Sequence, residues 1–135
     1  MSDPLPELTE AEWAVIKAVW DLQPCAAPSV QEHLFPSRNW TYSTVRTLMD
    51  RMVAKGLLSA EKIRNLTLYR ASVTRHQAQL GELRYALKNA FDGALHPMVE
   101  TLLASEKLSP ADLDQLQALI DARRQQSSRP TKSRR

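Results

Sequence analysis

The stretch from Thr41 to Ser72 constrains the fold most, because a one-sided helical pattern there meets a glycine and runs directly into two short alternating segments. Thr41 has the side chain of an N-cap, and Val45, Leu48, Met49 and Met52 recur at the three-and-four spacing of a helix with one buried side. This predicts a helix over Tyr42 to Lys55, closed by Gly56. Leu57 to Lys62 and Leu66 to Arg70 read as strands, with Ile63-Arg64-Asn65 as the turn and Asn65 the residue suited to positive φ.

Helix, glycine and hairpin form the second half of a winged helix-turn-helix, and the first half lies upstream. Thr9-Glu10-Ala11-Glu12 fits a capping box that opens a helix to about Asp21, with Trp13, Ile16, Val19 and Trp20 on its buried side. Pro28 can start a short helix through Leu34, after which Phe35-Pro36 is expected to break it. Trp40 precedes the Thr41 cap as a hydrophobic anchor, the alternative being a place against a DNA backbone. Met1 to Glu7 reads as a short arm with little to bury.

The formal net charge of +3 conceals a reversal of sign along the chain. From Arg38 to Arg70 the cations are Arg38, Arg46, Arg51, Lys55, Lys62, Arg64 and Arg70, against Asp50 and Glu61; before Arg38, Lys17 stands alone against six carboxylates. A basic face confined to the helix and hairpin suits phosphate contact, so double-stranded DNA is the expected partner. On this reading Ser43, Thr44, Arg46 and Thr47, with Thr41 and Tyr42 beside them, approach base edges in the major groove, and Arg51, Lys55, Lys62 and Arg64 hold phosphates. The competing reading uses the same helix and hairpin to bind a protein.

Downstream, Leu80, Leu83, Leu87 and Phe91 mark a helix from about Arg75 to Asp92, and Leu95, Met98, Val99, Leu102 and Leu103 a second one. Ser109-Pro110 caps a third, with Leu113, Leu116, Leu119 and Ile120 on its apolar side. Three such helices enclose little by themselves. The expectation is a mainly α chain: a winged-helix DNA-binding domain with a small β-hairpin wing over residues 1–73, a helical dimerisation domain over 74–126, and a disordered basic tail over 127–135. In the homodimer, Leu80, Leu83, Leu87, Phe91, Leu102, Leu113, Leu116 and Ile120 meet a second copy. A compact three-helix bundle in a monomer is the alternative.

Catalysis finds no footing. His33, His76 and His96 show no metal-ligand spacing, three glycines make no phosphate loop, and no nucleophile comes with a base. The chain is therefore expected to be no enzyme, with no cofactor, metal or small-molecule substrate. Cys25 is the only cysteine, so an internal disulfide is impossible; with no apolar run of membrane-spanning length and an acidic start, a soluble cytoplasmic protein is expected.

Leu8-Thr9-Glu10-Ala11-Glu12-Trp13 with Val19-Trp20, then Trp40 to Leu48, and Arg51 to Leu58, closely resemble the penicillinase repressor family, the BlaI/MecI type. The likeness continues through Tyr69, Phe91-Asp92-Gly93, Met98-Val99 and Leu108-Ser109. It implies a winged-helix dimer that represses transcription at a twofold operator, with antibiotic resistance under its control. It also implies a membrane-bound sensor metalloprotease that answers a β-lactam, and relief of repression by a cut in the dimerisation part. Thr101 and Leu102 stand where the family has its cleaved Asn-Phe bond, and Arg64 where its wing often has glycine. The cysteine cluster of the related copper-responsive repressors is absent from this sequence.

Overall fold

The structure, a computed structural model, describes residues 5–128. The elements follow in the order α1 (Glu10–Leu22), α2 (Ala27–Arg38), α3 (Tyr42–Ala54), β1 (Leu58–Ile63), β2 (Leu66–Ala71), α4 (Arg75–Phe91), α5 (Leu95–Ser105) and α6 (Pro110–Ser128). This is a winged helix-turn-helix followed by helices.

The capping box of α1 is formed in both directions. The Thr9 hydroxyl accepts the Glu12 amide at 3.1 Å, and the Thr9 amide donates to the Glu12 carboxylate at 2.9 Å. Val15, Ile16, Ala18 and Val19 of α1 are buried against Val30 of α2, Val45, Met49 and Met52 of α3, and Leu58 and Tyr69 of the hairpin. Trp13 and Trp20, expected in the core, are half-buried on the flank of α1, with ring centroids 6.2 Å apart and edge to face. An indole N–H has to find an acceptor, which favours the margin of a core over its centre. Trp13 Nε1 donates to Glu82 of α4 at 3.1 Å and Trp20 Nε1 to the Val73 carbonyl at 3.0 Å, so the pair ties α1 to α4 and to the segment leading into it.

Two local readings differ from the sequence expectation. α2 does not stop at Leu34 but continues to Arg38 with Pro36 inside it, and ends at Asn39 in the left-handed region at φ 56°. A proline so near the end removes one helical hydrogen bond and leaves the rest of the turn in place. At the hairpin, Ile63 pairs with Leu66, which leaves a two-residue loop, and its left-handed residue is Arg64 at φ 58°, not Asn65. Two-residue turns that match strand twist need positive φ at the first loop position. Register therefore overrode residue preference.

Gly56 ends α3 as expected, at φ +86°. The Leu57 amide donates to the Met52 carbonyl at 2.9 Å and the Gly56 amide to the Val53 carbonyl at 3.0 Å, the paired bonds of a left-handed helix terminus. On its outer side β2 pairs with the linker: the Tyr69 amide donates to the Cys25 carbonyl at 2.7 Å, and the Cys25 amide to the Tyr69 carbonyl at 3.1 Å. Cys25 is buried there, and burial pushes its thiol pKa up.

The chain divides into two compact units, the first ending at Gly93 and the second starting at Ala94. α4 thus belongs with the winged helix, beyond the boundary expected at residue 73. Ala78 and Gly81 of α4 are buried, and the Pro6 carbonyl lies where a side chain at position 81 would stand. Leu5 and Pro6 of the expected N-terminal arm are consequently half-covered.

The second unit holds α5 and α6, and neither helix contains a buried residue. Ser109 caps α6, its hydroxyl accepting the Asp112 amide at 3.0 Å while its own amide donates to the Asp112 carboxylate at 3.0 Å. α6 extends through Ser128, so the first residues of the expected disordered tail are helical; residues 129–135 lie outside the described part. No helix among the described residues is long and apolar enough to cross a membrane.

Candidate nucleic-acid interface

α3 buries Val45, Met49 and Met52 and so turns the opposite face outward. Thr41, Tyr42, Ser43, Thr44, Thr47 and Arg51 are all exposed on or beside that face. Thr41 is partly committed: its hydroxyl accepts the Thr44 amide at 3.2 Å and donates to the Thr44 hydroxyl at 3.1 Å. A groove beside α3 is lined by Trp40, Ser43, Thr44, Thr47, Leu48 and Arg51. Trp40 is packed at the edge of the core with the Arg38 guanidinium 5.2 Å from its ring centre, which matches its reading as an anchor.

Arg46 sits between helix and wing in a network that sequence reasoning did not assemble. Its Nε donates to Asp50 at 3.2 Å, its Nη1 donates to the Tyr42 hydroxyl at 3.1 Å, and the buried Tyr69 hydroxyl of β2 donates to Asp50 at 2.9 Å. The Tyr42 hydroxyl bond first, and the Asp50 carboxylate beside it, favour the charged guanidinium. Burial first, then the Asp50 carboxylate, pushes the Tyr69 pKa up to about 12, so its hydroxyl keeps the proton it donates. One signal was visible in the sequence: Asp50 is the only acid of α3 and stands four residues after Arg46.

The cations divide into paired and unpaired. Lys55, expected on phosphates, has its ammonium 2.7 Å from the buried Glu12 carboxylate, so it fastens α3 to α1. Arg38 pairs with Glu10 at 3.7 Å. Arg51, Lys62, Arg64 and Arg70 have no salt-bridge partner among the described residues, and Lys62 and Arg64 lie at the end of β1 and in the hairpin loop. The residues expected to meet a second copy fall in both units. Leu80, Leu87 and Phe91 of α4 are half-buried and Leu83 is 54% exposed; Leu102, Leu113, Leu116 and Ile120 of the second unit are all exposed.

A polar helix face projecting beside a cationic hairpin, on three packed helices, defines a winged-helix DNA-binding protein. The penicillinase repressor family matches residues 8–122. The chain belongs to that family, whose members are transcriptional repressors and not enzymes. A Latilactobacillus sakei protein described as an uncharacterized 16.5 kDa protein in the ptsI 3′ region is 30% identical over 123 residues, covering 91% of this chain and 84% of its own. The methicillin resistance regulatory protein MecI of Mammaliicoccus sciuri is 23% identical, covering 85% and 94%. The penicillinase repressor of Bacillus licheniformis is 22% identical, covering 87% and 91%. Among solved structures, the DNA-binding domain of the repressor BlaI matches at 23% identity and a TM-score of 0.48, over 54% of this chain and 89% of its own.

Proposed function

We propose that the protein acts as a homodimer on a palindromic operator, each copy setting α3 into one major-groove half-site with its wing over the flanking phosphates. The observation that carries this reading is the outward polar face of α3 beside the unpaired cations of α3 and the hairpin. Ser43, Thr44, Arg46 and Thr47 read bases, with Thr41 and Tyr42 at the rim, and Arg51, Lys62 and Arg64 hold phosphates. Lys55 contributes only what charge its pairing with Glu12 leaves.

The exposed leucines of α5 and α6 support a twofold interface, since a pair of helices with no buried side chain lacks a core of its own. Two tied heads then gain affinity by avidity. Work on chromosomal DNA puts the protein in the cytoplasm. Relatives named for methicillin resistance and penicillinase control point to a resistance gene as the target.

Release by a membrane-bound sensor metalloprotease would cut between Thr101 and Leu102. Both residues are exposed inside α5, and the Thr101 carbonyl accepts the Ser105 hydroxyl at 2.7 Å. The helix has to open locally before an extended-chain protease can act, and the cut separates α6 from the head. Mass spectrometry of the protein from derepressed cells tests this, and intact chains would exclude the cut. For DNA binding itself, the purified chain should retard a short palindromic duplex taken from beside its gene and leave a scrambled duplex free. Failure to retard either duplex would transfer the surface to a protein partner.

A further inference from the structure

We propose that Tyr69, a buried residue of β2 with no exposed surface, sets the base selectivity of Arg46 by way of Asp50. The inference rests on the reading of α3 as the base-reading helix, and it assigns Tyr69 and Asp50 as positioning residues for that task.

An arginine on an exposed helix face is a flexible cation that grips a phosphate as readily as a base. Selectivity requires its fork to be held before binding. Arg46 is held at two points, Nε on Asp50 at 3.2 Å and Nη1 on Tyr42 at 3.1 Å. These bonds leave Nη2 and one N–H of Nη1 free, a pair that can meet the O6 and N7 of a guanine together.

Asp50 accepts from the Arg46 guanidinium and from the Tyr69 hydroxyl, and so couples the two. A carboxylate on a DNA-facing helix repels phosphate, so its presence costs nonspecific affinity. Its remaining partner is the Tyr69 hydroxyl at 2.9 Å, on a ring with no exposed surface. Tyr69 pairs across the hairpin with Ala60, while its amide and carbonyl bond Cys25 on the other side at 2.7 and 3.1 Å. Backbone held from both sides fixes the ring, the ring fixes Asp50, and Asp50 fixes Arg46. The wing strand thus acts on recognition without touching DNA.

The test uses the full chain and operator duplexes carrying every single-base change, together with a scrambled duplex, over a range of salt. Tyr69→Phe removes only the hydroxyl. It should lower the operator-to-scrambled affinity ratio about three- to tenfold per half-site, the worth of one hydrogen bond. The flattening should fall at the same operator position that Arg46→Ala flattens, with scrambled binding and salt slope unchanged. The double variant should be no worse than Arg46→Ala alone, because both changes remove one coupled unit. Asp50→Asn, at a side chain 55% exposed, gives a second arm that spares the core: preference is lost at that same position, while the scrambled duplex binds tighter for want of a negative charge. A Tyr69→Phe profile identical to the unmodified chain, alongside a flattened Arg46→Ala profile, would overturn the proposal and leave the base-reading helix standing. An unchanged Arg46→Ala profile would overturn the base-reading role as well.

Discussion

Lys55, at the C-terminal end of α3, holds its ammonium 2.7 Å from the carboxylate of Glu12 in the first turn of α1, whose side chain is only 8% exposed. Burial by itself would raise the Glu12 pKa. The Lys55 hydrogen bonds and charge, with the Thr9 amide, outweigh it and hold the carboxyl below its ordinary 4.5. A carboxyl depressed on folding adds stability that is present above its unfolded value and lost as pH falls through the folded one. Urea unfolding should therefore show a midpoint that drops as pH goes below about 4.5, in line with that reference value. Glu12→Gln should cost about 1–3 kcal/mol at neutral pH and flatten this acid limb. An acid limb unchanged in the variant would mean that other carboxylates carry it.

Arg64 holds a left-handed backbone at the wing tip, a conformation that costs an ordinary side chain about 1–2 kcal/mol and glycine very little. Arg64→Gly should raise stability by about 1 kcal/mol in thermal unfolding. The same change should weaken operator and scrambled duplex alike and reduce the salt slope by about one unit, as loss of one phosphate contact does. Stability gained with the salt slope intact would show that the tip stays clear of the phosphates.

At Gly81 a methyl group would run into the Pro6 carbonyl. Gly81→Ala should lift the arm off α4, with hydrogen exchange accelerating over residues 5–8 and a stability loss of about 1–3 kcal/mol from overpacking. Helix propensity alone would favour alanine by about 1 kcal/mol, so a net gain in stability would mean that the arm contact contributes little.

Leu116 is 37% exposed in the single chain and faces outward from α6. In the proposed dimer Leu116→Asp would bury an unpaired charge, at a cost of about 3–5 kcal/mol, enough to weaken association at least about a hundredfold. Sedimentation should then find monomer for the variant at micromolar protein and dimer for the unmodified chain. A monomeric unmodified chain would sink the twofold reading.

What the sequence disclosed is local. The Thr9, Thr41 and Ser109 caps, the Gly56 terminus and the Val45-Met49-Met52 side each follow from residues within two turns of one another, and each appears in the fold. What it hid is pairing at a distance. Lys55 finds Glu12 across 43 residues and Tyr69 finds Asp50 across 19, and nothing in either neighbourhood announces the partner. The tryptophans illustrate the same limit, because an apolar stripe indicates burial without saying which of two neighbouring surfaces covers it. At the hairpin, strand register imposed φ 58° on Arg64 against its own preference, a case of pairing overruling propensity.

The helices α5 and α6, with no side chain buried in the single chain, tie the proposed activity to copy number. An interface that buries these faces exists only between two copies, so the dimer's population depends on the concentration of the protein. At low abundance the cell would hold separate heads with weak grip on DNA, and occupancy of the operator would climb more steeply than the amount of protein. A modest change in synthesis or turnover would then act as a threshold, turning gradual loss of the repressor into an abrupt onset of transcription.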